Sequence, residues 1–194
     1  MTGIRKILTV SALIIIAALP WKPASAQIDF VENKGQWNDK IQYKADMSAG
    51  AFFLEENSFS ILMHNPEEMQ LMHDLEHGHP NKKTDPSAKY TLHSFFYRVN
   101  FLGAAKGLKP VPEKPLPTYN NYFLGNDRSK WKGNCRIFQA VTYQNLYPNI
   151  DLRYYNDGDN MKYDLIIHPG GNISQIALRY DGPTELLVRN KELI

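Results

Sequence analysis

From Ile41 onward the chain is cut into short runs in which apolar and polar residues mostly alternate, closed by glycine, proline or an Asn/Asp cluster. Alternation with a period of two is what a half-buried strand requires, since successive side chains point to opposite faces. Residues 41–45 follow it. Residues 51–54 and 59–63 flank the turn formers Glu55, Glu56 and Asn57 and predict a hairpin. Residues 97–101 form a further alternating run ended by Gly103, and residues 137–143 an apolar run of mixed pattern. The clearest hairpin joins 150–155 to 161–167 around Asn156, Asp157, Gly158, Asp159 and Asn160, residues that tolerate positive φ. Residues 176–180 and 186–188 complete the series. Strands at this spacing predict a mainly β fold, an antiparallel β-sandwich or barrel-like module with one short helix and long loops.

The helix is expected over 66–77, where Pro66 suits a first turn, Glu67 and Glu68 suit the helix dipole, and Met69, Met72 and Leu75 recur at threes. Gly78 and Pro80 end it, and the polar stretch 81–89 reads as a loop, so residues 64–90 form a His-rich insertion between strands. Pro110, Pro112, Pro115 and Pro117 predict an extended, polyproline-like connector.

The N-terminus carries an export signal. Arg5 and Lys6 precede an apolar run of roughly 14 residues, short of the ~20 that a membrane-spanning helix needs. Ala24-Ser25-Ala26 then supplies the small residues of a cleavage site, so a cut between Ala26 and Gln27 is expected, in preference to an uncleaved anchor. Residues 27–194 are the exported domain, secreted or at the cell surface by way of the periplasm, with no transmembrane segment of its own. Cleavage removes three of 22 basic side chains and no acidic one, leaving 19 against 20 and a net charge of −1. That balance argues against a nucleic-acid partner. The lone Cys135 rules out a framework of internal disulfides, so the fold must stand on its core. Glu192 to Ile194 read as the start of a returning strand, which predicts that the domain continues past this C-terminus.

Four ordered blocks carry a family resemblance: Phe30-Val31-Glu32-Asn33-Lys34-Gly35-Gln36-Trp37; Pro115-Leu116-Pro117-Thr118-Tyr119-Asn120-Asn121-Tyr122-Phe123-Leu124-Gly125-Asn126-Asp127 with Trp131; Tyr147-Pro148-Asn149-Ile150-Asp151-Leu152; and Tyr163-Asp164-Leu165-Ile166-Ile167-His168-Pro169-Gly170. Together they resemble the uncharacterised N-terminal β-rich domain of large secreted Bacteroidetes proteins. In such proteins SBBP-type β-propeller repeats, PKD-like domains and a C-terminal sorting or gliding-motility-associated domain usually follow. The resemblance implies downstream domains as partners and a role at the cell surface; it carries over no catalytic residue.

Three constellations hold chemistry. His73 and His77 lie one helical turn apart with His79 just beyond, a spacing that could hold zinc, although a solvated His-rich loop explains it as well. The oxygen-rich 156–160 turn could hold calcium, but lacks the EF-hand spacing, and turn chemistry accounts for its residues. No cofactor is therefore expected. Trp37, Tyr119, Tyr122, Phe123 and Trp131, near Asn126 and Asp127, offer the rings and amides of a carbohydrate face, set against ordinary aromatic packing. Cys135 lies among polar neighbours and reads as a semi-exposed thiol, while Asp151 and Asp164 are expected to face each other, or nearly so, across their hairpin. The function expected is a non-catalytic structural or interaction module in adhesion or envelope assembly, with surface glycans or envelope proteins as partners. A carbohydrate-binding module is the alternative, and a hydrolase with a carboxylate or metal site the third reading.

Overall fold

The computed structural model describes residues 28–77, 89–157, 160–190 and 192–193. In chain order the strands are β1 (Phe30–Glu32), β2 (Tyr43–Met47), β3 (Gly50–Leu54), β4 (Ser58–His64), β5 (Ser94–Leu102), β6 (Val111–Tyr122), β7 (Lys132–Tyr147), β8 (Ile150–Asp157), β9 (Asn160–Ile167), β10 (Ala177–Asp181), β11 (Val188–Arg189) and β12 (Glu192–Leu193). Helix α1 (Pro66–Glu76) lies between β4 and β5. The expected mainly β, barrel-like module is what forms. Among the described residues no helix is long and apolar enough to cross a membrane.

Ten strands make one antiparallel sheet in the order β10-β5-β4-β3-β2-β1-β7-β8-β9, with β6 attached to β7. Strand β7 organises it. Phe138 pairs with both Phe30 and Pro115, and Ala140 with both Glu113 and Tyr155. Strand β6 therefore runs along one edge of β7, while β1 and then β8 share the other. Phe138 and Val141 both belong to the main core although they are three residues apart, so β7 changes face between them. That change explains the mixed pattern of 137–143.

The sheet curls into a half-barrel because its two ends share one aromatic core. Tyr154 of β8 meets Phe52 of β3 at 5.5 Å and Phe59 of β4 at 5.9 Å between ring centroids. Tyr163 of β9 reaches Phe59 at 5.9 Å and Phe101 of β5 at 6.5 Å. Two of the buried tyrosines keep partners for their hydroxyls, as burial in an apolar core favours. Tyr143 Oη lies 2.6 Å from Gln42 Oε1 and 2.7 Å from the Glu55 carbonyl, and Tyr147 donates to the Leu102 carbonyl at 3.0 Å. Burial pushes the Tyr143 phenol above its usual range, so it stays a donor.

The hairpin between β8 and β9 forms as expected, but its register sets Asp164 opposite Arg153 and Asp151 opposite Ile166. The two carboxylates are diagonal neighbours. Asp151 instead accepts the Asn145 amide at 2.7 Å and lies 2.9 Å from His168 Nε2. Helix α1 starts at Pro66 as predicted, with Asn65 Oδ1 accepting from the Glu67 and Glu68 amides, yet it buries none of its residues. Its anchor is polar: Glu68 accepts the His93 amide at 2.6 Å and lies 2.7 Å from His93 Nδ1.

Two expectations are corrected. The proline-rich stretch is no polyproline connector; it is β6, paired along β7 with register shifts between Pro115 and Tyr119 and between Asn120 and Tyr122. Proline lacks the amide that a central strand must donate, and β6 tolerates several because its outer edge pairs with nothing among the described residues. Cys135 is fully buried, in a second small cluster with Val31 and Ile137 beneath Trp37, Leu116 and Tyr122. Its polar sequence neighbours point to the opposite face of β7, which is why the local composition misleads.

Candidate functional site

The hairpin of β6 and β7 projects a loop, residues 123–131, that gathers several of the predicted aromatic and amide residues. Two devices build it. Asp127 Oδ1 accepts the Ser129 amide at 3.0 Å and the Ser129 hydroxyl at 2.7 Å, which opens a single 3₁₀ turn over Arg128–Lys130. Gly125 takes φ +65°, and its carbonyl accepts the Trp131 indole N–H at 3.1 Å. The loop therefore closes on its own backbone and turns Phe123 and Leu124 outward.

The tip is stitched to the loop that follows β1. Lys34 Nζ donates to the Gly133 and Asn134 carbonyls at 3.4 and 3.3 Å. That loop is folded around Asn33, whose Oδ1 accepts the Gly35 and Trp37 amides and whose Nδ2 donates to the Asn38 and Ile41 carbonyls. Glu32 Oε1 accepts the Arg136 amide at 2.8 Å and ties β1 to β7 beside it.

The predicted ring residues divide into two groups. Trp37 and Tyr122 pack edge to face at 5.1 Å over the small Cys135 cluster, with Lys44 Nζ 5.6 Å from the Trp37 ring centre, and both are half-buried. Trp131 sits at the tip with Phe123 edge-on at 5.7 Å and the Arg128 guanidinium over its ring at 5.2 Å. Tyr119 is exposed on β6 opposite Arg136, and Asn126 is exposed in the loop. Hydrogen bonds from Ser129, with Lys130 and Lys132 nearby, hold the Asp127 carboxyl below the usual range.

What the sequence reading passed over is Leu124 beside Phe123 and the cationic collar of this tip. Phe123 is 63% and Leu124 62% exposed. Arg128 and Lys130 lie in the same loop, Lys132 opens β7 beside it, and Lys34 reaches the first residues of β7 from the β1 side; among the described residues none of the four forms an ion pair with a carboxylate. The signal was present in sequence: an apolar pair before Gly125, followed by four basic residues and one acidic residue through position 136.

The remaining candidates are dispersed. His73 on α1 and His77 at its C-cap lie side by side with ring centroids 4.3 Å apart, and His79 lies outside the described residues. Among the described residues no group of three or more His, Cys, Asp or Glu is placed to hold a metal ion. Gly158 and Asp159 of the oxygen-rich turn, and Ala26 and Gln27 of the cleavage site, also fall outside the described residues. Burial pushes the Cys135 thiol up against the pull of Lys34 and Lys132, which makes it a poor nucleophile. A polar groove of about 510 Å³ lined by Asp39, Gln42, Glu55, Glu56, Asn57 and Ser58 adjoins the β3–β4 turn. Its Glu55 is held by Arg98 at 2.6 Å and by the Ser58 hydroxyl at 3.2 Å, the setting of a structural carboxylate.

Residues 30–194 match the family model described as a domain of unknown function, DUF7948. No curated protein and no solved structure matches the chain. The match takes in the half-barrel, the small Cys135 cluster and the hairpin tip together, and the chain belongs to the DUF7948 family.

Proposed function

We propose that this domain is a non-catalytic interaction module of an exported bacterial protein, acting in adhesion or assembly at the cell envelope through the tip of the β6–β7 hairpin. The observation that carries the reading is the exposure of Phe123 and Leu124 on a loop whose backbone is fixed by Asp127, Gly125 and Trp131. Water-exposed apolar groups on a fixed loop cost solvation free energy in the free protein and suit a surface that a partner covers. The leader-like N-terminus, with Ala24-Ser25-Ala26 before Gln27, supports export. The resemblance to N-terminal domains of large secreted Bacteroidetes proteins supports a surface location and further domains downstream.

A carbohydrate-binding reading draws on Trp131 beside Asn126 and Asp127. Arg128 already occupies one face of that indole, leaving a single face for a sugar ring.

Expressed with its own leader, the chain is expected to begin at Gln27 by N-terminal mass spectrometry and to sediment with isolated envelopes, leaving envelope components chemically unchanged. Retention in the cytosol with Met1 intact, or failure to bind envelopes, would sink the proposal.

A further inference from the structure

We infer that the β6–β7 tip docks onto an anionic lipid bilayer, with Phe123 and Leu124 entering the headgroup boundary and the surrounding cations meeting lipid phosphates. The inference rests on the interaction-module reading and names the partner of that same surface.

Two independent features point to lipid. The first is charge segregation. The exported chain is close to neutral, with a net charge of −1, yet residues 123–132 carry Arg128, Lys130 and Lys132 against Asp127 alone, and Lys34 joins them from the β1 side. The cations near the loop are held by carbonyls and rings. Lys132 Nζ donates to the Ser129 carbonyl at 2.8 Å, and the Arg128 guanidinium lies 5.2 Å from the Trp131 ring centre. Asp127 offsets part of the charge of Lys130 and Lys132, and the positive excess is left for an external anion. Each Lys or Arg near an anionic membrane contributes on the order of 1 kcal/mol, or about fivefold in binding.

The second feature is the geometry of the apolar pair. Phe123 and Leu124 are adjacent at a hairpin end, each more than 60% exposed, and Trp131 sits directly behind Phe123. An apolar point, an indole at its shoulder and a cationic collar follow the layering of a bilayer surface from acyl chains through the interface to the phosphates. A soluble polyanion would use the collar and leave Phe123 and Leu124 in water. A neutral glycan would use neither.

The test is flotation of the exported chain with vesicles of phosphatidylcholine alone and of phosphatidylcholine with phosphatidylglycerol. Binding is expected to the anionic vesicles and to fall with added salt. Phe123→Ser with Leu124→Ser should weaken it at least about tenfold, and Lys130→Glu by about fivefold or more. Both variants should melt with the parent, because these side chains are exposed. Any contribution from retained leader would be common to parent and variants. Absence of vesicle binding, binding unchanged in the serine variant, or equal binding to heparin by parent and serine variant with no lipid binding would overturn the inference. Envelope binding that survives the serine variant would reject the lipid assignment and leave the interaction-module reading standing.

Discussion

Replacing Phe52 by alanine should cost about 3–5 kcal/mol and lower the melting temperature by roughly 10 °C. Phe52 is 2% exposed and touches rings from three other strands: Phe30 of β1 at 6.3 Å, Phe59 of β4 at 5.3 Å and Tyr154 of β8 at 5.5 Å. These contacts hold the sheet in its curl, because β8 and β3 do not pair through their main chains. The surrounding rings are large and rigid and cannot collapse into the space, so the void persists and adds to the lost transfer free energy. Denaturant titration in parallel would separate a loss of stability from a change in compactness. A variant that melted within a degree or two of the parent would place Phe52 outside the core and remove the reason for the curl.

Gly50→Ala is the second large effect, and it acts through the backbone. A Cβ built on Gly50 would sit 1.9 Å from the Leu62 carbonyl oxygen and 2.9 Å from its carbon. Gly50 opens β3 opposite Met63, so relief requires β3 and β4 to separate where their pairing begins. Overpacking of this kind costs about 3 kcal/mol, and backbone atoms have less freedom to give way than a side-chain end. A thermal melt of the variant equal to the parent's would contradict the close approach of the two strands at Gly50.

Sequence patterning made much of the sheet legible. The β3–β4 and β8–β9 hairpins follow from alternation and turn residues alone, since each is a local pairing with its punctuation inside the same short stretch. Non-local pairing left weaker marks. Nothing in Phe30 to Glu32 says that these residues bridge β2 and the middle of β7. Prolines hid β6, because a rule that excludes them from strands applies to central positions and not to edges. Cys135 read as semi-exposed because its neighbours are polar, whereas alternation sends its own side chain to the covered face.

The candidate site was legible in its rings and turn residues and hidden in its electrostatics. Trp131, Asn126 and Asp127 lie together because they are close in sequence. Summing charge over residues 27–194 averages away the collar, which draws Lys34 from one loop, Arg128 and Lys130 from another and Lys132 from the start of β7. The metal reading of His73, His77 and His79 depended on a third ligand whose position lies outside the described residues. The exposed hairpin end that orients Phe123 and Leu124 depends on β6 being a strand, so missing β6 meant missing the tip.

The most direct measurement is the fluorescence of Trp131 at the membrane. Of the three tryptophans, Trp21 lies in the expected leader, so in residues 27–194 Trp37→Phe leaves Trp131 as the reporter. Vesicles of phosphatidylglycerol brominated on the acyl chains quench an indole that reaches the interface. Quenching together with a blue shift of the emission is the predicted result. Emission unchanged while the protein floats with the vesicles would mean that another surface makes the contact, and would contradict the assignment of the β6–β7 tip.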